Sequence, residues 1–160
     1  MIDNTDLKHL RRCVELAKTA LQAADEPFGS ILVSADDVVL FEDHNHVSGG
    51  DHTQHPEFAL ARWAAKNMTI EERSKATVYT SGEHCPMCAA AHGWVGLGRI
   101  VYASSSAQLV QWLSEMGVAA SRVRNLPIQE VIRDTDIDGP VPELVEQVRE
   151  LHRQFHAKKR

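Results

Sequence analysis

The sequence predicts an α/β fold, a three-layer sandwich with a central mixed sheet flanked by helices. Segments of helix and strand character alternate along the chain, and the first helical segment is amphipathic, so its apolar face needs a sheet to cover. The composition, 43% apolar and 24% charged in 160 residues, is typical of a globular protein. Because such a length suits one core, we expect residues 1–160 to form a single domain, with 138–160 as a C-terminal helical extension.

The N-terminal half contains two predicted helices separated by a hairpin. Apolar residues recur at three- and four-residue steps from about residue 5 to 24, which predicts a helix that Pro27-Phe28-Gly29 ends. Two apolar runs at 30–34 and 38–41 flank Ala35-Asp36-Asp37 and predict a β-hairpin. A polar loop at 46–54 follows, and Pro56 begins a second helix that reaches at least Ala64.

In the second half, strands and helices are predicted to alternate up to the C-terminal end. Strands are expected at 76–80, 99–103 and, from a short apolar run, 129–132. Helices are expected from Pro86 to about Trp94, around 109–113, and over 141–155 after a breaker at 138–142. Three tryptophans lie in helical segments with apolar neighbours and are interpreted as packing residues: Trp63, Trp94 and Trp112.

Net charge favours a small-molecule substrate over nucleic acid. The formal charge of -5 provides no general basic surface for binding phosphates, and the basic end at 156–160 is interpreted as a solvated tail. The first residues lack the basic and apolar regions of a signal peptide, and no apolar run approaches the 18 residues of a membrane span. We therefore expect a cytoplasmic protein that does not bind nucleic acid or membrane.

The cysteine pattern indicates a metal site. Cys85 and Cys88 are three residues apart beside a proline, a spacing that suits metal better than a disulfide. Cys13 lies among helix formers, where a buried structural thiol is the better explanation.

Two short motifs each begin a predicted helix and together indicate catalytic zinc. In Glu83-His84-Cys85-Pro86-Met87-Cys88, Cys85 is expected at the N-cap and Cys88 at the third helical position, where the helix dipole favours thiolates. In His55-Pro56-Glu57, Pro56 suits the first helical position and leaves His55 free to turn toward the thiols. One imidazole and two thiolates leave a fourth position open for water, with Glu57 close by to exchange protons.

A structural zinc site is the alternative, and it would need a fourth protein ligand. Five side chains could in principle supply one: His44, His46, His52, His84 and Cys13. Such a site would leave Glu57 without a task. The sequence therefore favours the catalytic interpretation.

The pattern His-x-Glu followed by Pro-Cys-x-x-Cys, here with His84 in place of the first proline, resembles the cytidine deaminase superfamily. The resemblance extends to Pro27-Phe28-Gly29, Asn45 and the strand at 77–81, and spans roughly residues 5–115. It implies a central sheet flanked by helices, bound Zn²⁺, a homodimer or larger assembly, and hydrolytic replacement of an exocyclic amine with release of ammonia.

The resemblance also implies roles for individual residues. It places His55, Cys85 and Cys88 as zinc ligands and Glu57 as the proton shuttle. The implied substrate contacts are Asn45 as a hydrogen-bond partner, Phe28 as a wall of the base pocket, and Glu83, whose backbone or side chain faces the amino group. Two residues at the expected substrate pocket depart from the family pattern. Pro56 has no backbone N–H to offer the base, and His84 stands where similar proteins have proline, either reaching the pocket or sitting on a tight turn.

Three functions follow as hypotheses. The first is a zinc-dependent aminohydrolase acting on a free base or nucleoside, of guanine or cytosine type. The second is an adenosine deaminase acting on transfer RNA, whose binding should weaken steeply with salt. The third is a non-catalytic, zinc-stabilised binding module, which would hold zinc but release no ammonia.

Overall fold

The computed structural model describes residues 1–158 and contains six α-helices and five strands in that range. The helices are α1 Asn4–Gln22, α2 Pro56–Asn67, α3 Ile70–Lys75, α4 Pro86–Val95, α5 Ser106–Glu115 and α6 Pro142–Ala157. The strands are β1 Gly29–Val33, β2 Val39–His44, β3 Thr77–Gly82, β4 Ile100–Ser104 and β5 Ile137–Asp138. The predicted tail includes residues 159 and 160, which lie outside the described residues.

The strands form one mixed sheet, as the sequence predicts, and their order in it is β2-β1-β3-β4-β5. β1 pairs antiparallel with both β2 and β3, so the predicted hairpin is present, whereas β3, β4 and β5 run parallel. Helices α1 and α6 pack together on one face of the sheet, and α2 and α4 pack together on the other. The three layers of the predicted sandwich are therefore confirmed.

Helix α1 packs closely on β1 and thereby positions the N-terminal end of this strand, which leads to the site. The thiol of Cys13 is fully buried in this contact, as predicted for a structural cysteine. A Cβ at Gly29 would lie 2.4 Å from the carbonyl oxygen of Cys13, so only glycine permits this approach of strand and helix. The helix is held at its start by Asp3, whose side chain accepts the N–H of Asp6.

A partly buried ionic network connects α1 to the parallel strands. The carboxylate of Asp6 accepts hydrogen bonds from Arg99 at 2.8 and 3.0 Å and from the hydroxyl of Tyr79 at 2.7 Å. Arg99 also pairs with Asp138 of β5 at 2.8 Å. Burial opposes ionisation of Asp6, but these bonds outweigh it and lower the pKa of Asp6 to about 2.

The strand predicted at 129–132 is wrong. The chain forms a 3₁₀ turn at Ile128–Glu130 instead, and the last strand is the short β5. Ile128 is fully buried in a small cluster with Ala89, Ile100 and Tyr102. Its apolar neighbours therefore reflect burial of a turn over the end of the sheet, because a short apolar run does not distinguish the two structures.

The tryptophan prediction holds for Trp112 and fails for Trp94. Trp112 is buried, and Trp63 is partly buried against Phe41, with ring centroids 5.6 Å apart. Trp94 is 89% exposed because it lies at the end of α4, on the side away from the sheet. Within residues 1–158, none of the helices combines the length and the apolar character that a membrane crossing requires.

Candidate metal centre and active site

Two helix starts bring the predicted metal ligands together. His55 is the N-cap of α2 with Pro56 in the first turn, and Cys85 is the N-cap of α4 with Pro86 in the first turn, as the two motifs predict. Both N-caps are extended and use no side-chain capping bond, so the imidazole and the thiol remain available for other partners. Cys88 is buried in the first turn of α4.

The donor atoms of these residues lie in the arrangement that zinc prefers. The Nδ1 of His55 is 3.5 Å from the Sγ of Cys85 and 3.5 Å from the Sγ of Cys88. All three donor atoms fall within 4.8 Å of one another. Tetrahedral zinc bonds to nitrogen and sulfur place such atoms about 3.6 Å apart, so this donor set fits the ion.

The electrostatics of the cluster suit metal binding. A hydrogen bond from Cys88, together with the His55 ring, lowers the pKa of the Cys85 thiol to about 4. The same bond, with burial, raises the pKa of Cys88, and metal binding would displace the remaining thiol proton. Among residues 1–158, no fourth His, Cys, Asp or Glu joins the cluster, which leaves out all five side chains considered for a structural zinc site.

Glu57 lies beside the thiols with its carboxylate buried. It is 5% exposed and close enough to Cys88 for a hydrogen bond between the two side chains. Its Oε1 accepts from the hydroxyls of Thr80 at 2.7 Å and Ser30 at 2.9 Å. Burial raises the pKa of Glu57 above its ordinary value, although the Thr80 bond and His55 oppose the rise.

Asn45 and Phe28 lie side by side at one end of the sheet, where β2 ends and β1 begins. The N–H of Asn45 donates to the carbonyl oxygen of Phe28 at 3.1 Å. The side chain of Asn45 is 2% exposed, and its Oδ1 finds no partner among the described residues. A buried acceptor without a donor is costly, so this atom is suited to a hydrogen bond from a ligand. The Phe28 ring lies over Gly82 and meets His152 of α6 edge-on, with centroids 5.0 Å apart.

Glu83 and His84 lie in the short segment between β3 and α4. The carboxylate of Glu83 accepts the backbone N–H of Ser106 at 3.0 Å and of Ile128 at 2.8 Å, so it holds the start of α5 and the 3₁₀ turn. The ring of His84 is buried and meets His92 edge-on, and its Nδ1 has no hydrogen-bond partner among the described residues.

Three polar residues near the site were missed by sequence reasoning. Ser30 and Thr80 bind Glu57, yet each reads as an ordinary position in an apolar strand. His92 reads as a helix residue, but its Nε2 donates to the carbonyl oxygen of Gly98 at 2.7 Å. Only the cross-strand register, which pairs Ser30 with Thr80, could have signalled the first two residues.

Comparisons with known proteins agree with this site. Residues 3–104 match the model of the cytidine and deoxycytidylate deaminase zinc-binding region. A probable cytosine deaminase from Schizosaccharomyces pombe is 33% identical over 116 residues, which cover 72% of this chain and 70% of that protein. A guanine deaminase from Bacillus subtilis is 34% identical over 97 residues, which cover 59% of this chain and 62% of that enzyme.

A solved structure has a similar fold. A tRNA:A34 deaminase superimposes with a TM-score of 0.62 at 21% identity, covering 91% of this chain and 99% of the other. The matched region of the family model ends at Ser104 and thus includes α2, α4 and every residue of the donor cluster. With both zinc motifs inside the match, and their donor atoms brought together by the fold, this chain belongs to the cytidine and deoxycytidylate deaminase family.

Proposed function

We propose that this protein is a zinc-dependent aminohydrolase that deaminates a free nucleobase or nucleoside of guanine or cytosine type. Water replaces the exocyclic amine, so a C–O bond forms, the C–N bond breaks and ammonia leaves. The observation that carries the proposal is the position of Glu57, a buried carboxylate beside a cluster with three donor residues. A structural zinc site has no use for such a group.

The residues of the site divide the chemistry between them. His55, Cys85 and Cys88 would hold zinc, which supplies a strong nucleophile from water at neutral pH. Glu57 takes the first proton of the attacking water and delivers it to the ring nitrogen, then takes the second proton from the hydroxyl now bound to the ring carbon and passes it to the departing amine, which leaves as ammonia. Burial raises the pKa of Glu57 above its ordinary value, which suits a group that must both accept and return a proton.

We assign the substrate contacts to the end of the sheet where β1 begins and β3 ends. Asn45 has a buried Oδ1 without a protein partner and would accept a hydrogen bond from the base. Phe28 would cover one face of the ring. Pro56 borders the site without an N–H, so a carbonyl of the base finds one donor fewer there. Glu83 would contribute its backbone, since its carboxylate is held by two backbone amides, and His84 would offer its buried Nδ1, which has no partner among the described residues.

We infer the partners and the location of the protein from its net charge and its family. We expect a homodimer located in the cytoplasm, with no role for nucleic acid. The tRNA:A34 deaminase shares the fold, but the net charge of -5 disfavours a polyanionic substrate for this chain. Binding of transfer RNA that weakens steeply with salt would favour the RNA enzyme, whereas affinity for a small neutral base should barely change with salt.

The test is a screen for ammonia release by the purified, zinc-loaded protein. Substrates are cytosine, isocytosine, guanine, adenine, aminopterins, aminotriazines and the matching nucleosides. Turnover of at least one base or nucleoside supports the proposal. Full zinc occupancy without ammonia from any of them would instead favour a zinc-stabilised binding module.

A further inference from the structure

Two strand hydroxyls converge on one oxygen of Glu57. Ser30 of β1 and Thr80 of β3 are cross-strand partners, and their hydroxyl oxygens are 2.9 Å apart. Thr80 lies 2.7 Å and Ser30 2.9 Å from Oε1 of Glu57, while neither bonds Oε2. Both hydroxyl residues are fully buried, so water does not replace these contacts.

The geometry points to a positioning role for both residues. We propose that Ser30 and Thr80 clamp Oε1 of Glu57 and thereby direct Oε2 toward the reacting atoms. This inference rests on the proposed function, in which Glu57 exchanges protons with the substrate. Each hydroxyl has one proton to donate, and a carboxylate oxygen accepts two hydrogen bonds, so both protons can be used on Oε1.

The two hydrogen bonds restrict the orientation of the flexible Glu57 side chain. Glu57 lies in the first turn of α2, and its side chain must reach across to the sheet with several rotatable bonds. Hydrogen bonds from two different strands hold its carboxylate plane in one orientation. A proton can then enter and leave Oε2 without breaking either bond to Oε1, so the group returns to the same position in each cycle.

A second acceptor lies within reach of the Thr80 hydroxyl. The carbonyl oxygen of Gly82, close to the start of α4, is 2.9 Å from Oγ1 and competes for its one proton, but the Glu57 carboxylate is nearer at 2.7 Å and, when charged, is the stronger acceptor. Thr80 therefore lies between Glu57 and the segment that leads to Cys85 and Cys88. Its methyl group restricts rotation about χ1, which favours threonine over serine at this position.

The test compares Thr80→Val, which keeps shape and loses the hydroxyl, with Thr80→Ser, which keeps the hydroxyl. Thr77→Val is the matched control, because it makes the same change on the same strand away from Glu57. We expect Thr80→Val to lower kcat about tenfold to a hundredfold with KM and zinc content unchanged. Thr80→Ser should restore most of kcat, Thr77→Val should resemble the wild type, and Ser30→Ala should lower kcat to a lesser degree.

A crystal structure of Thr80→Val gives a measurement that does not depend on activity. We expect the Glu57 carboxylate to be rotated or in two orientations, while the donor atoms of the cluster stay in place. An unchanged carboxylate, or equal losses in Thr80→Val and Thr80→Ser, would overturn the clamp. If the wild-type protein deaminates nothing, the proposed function fails instead, and the crystal structure still decides whether the hydroxyls orient Glu57.

Discussion

The Nδ1 of His55 and the Sγ of Cys85 lie 3.5 Å apart, although 30 residues separate them along the chain. Each is the residue just before a helix that begins with proline. Because α2 and α4 pack together on the same face of the sheet, their N-termini meet and point both donor atoms at one place. The site thus depends on helix packing as much as on the ligands.

Replacing Cys88 with serine should remove most of the bound zinc. Serine is a poor ligand for this ion, and a histidine with one thiolate holds it weakly. Metal analysis of the purified variant checks this, with Cys13→Ala as the matched control because Cys13 is buried outside the cluster. Full zinc occupancy in Cys88→Ser would show that the ion binds elsewhere.

Replacing Pro56 with alanine should improve kcat/KM for bases that carry a carbonyl group, such as cytosine or guanine. The variant restores an N–H at the first position of α2, beside the ligand and the carboxylate. An unpaired buried acceptor costs about 1–3 kcal/mol, so the gain could reach about tenfold to a hundredfold. Steady-state kinetics provide the measurement, with Pro142→Ala at the start of α6 as the control. No gain for any such base would mean that the absent amide does not shape the pocket.

Asp6→Asn should destabilise the protein in a pH-dependent way. The pKa of Asp6 is lowered from 3.8 to about 2 in the folded state, so its contribution is fully present above pH 4 and disappears as pH falls through 2. The shift corresponds to about 2 kcal/mol at pH 7. Urea unfolding of both proteins at pH 7 and at low pH measures it, with the exposed Asp36→Asn as control. A difference that does not shrink at low pH would assign the loss to packing.

The sequence predicted most elements because their signals are local. Apolar periodicity located α1 and α6, and proline at the first helical position located α2 and α4. The small helix α3 was missed, although Thr69 and Glu72 form a capping box that the printed sequence contains. The turn at Ile128 was mistaken for a strand because its burial comes from tertiary contacts that no local pattern records.

The same distinction between local signals and tertiary contacts applies to the candidate site. The spacing of His55, Cys85 and Cys88 is visible in the sequence, since each lies at the start of a helix. The bonds of Glu57 to Ser30 and Thr80 join residues 27 and 23 positions away, so only the strand register could indicate them. The same holds for Glu83, whose carboxylate binds backbone amides of two later segments.

The most direct test of the account is ammonia release by Glu57→Gln, measured on the substrate found in the screen. The amide keeps the size of the side chain but cannot exchange protons as a carboxylate does. We predict that the variant folds, keeps its zinc and loses about two to four orders of magnitude in kcat. Near-normal turnover with zinc in place would contradict the account, because Glu57 would then be structural and the proton would follow another route.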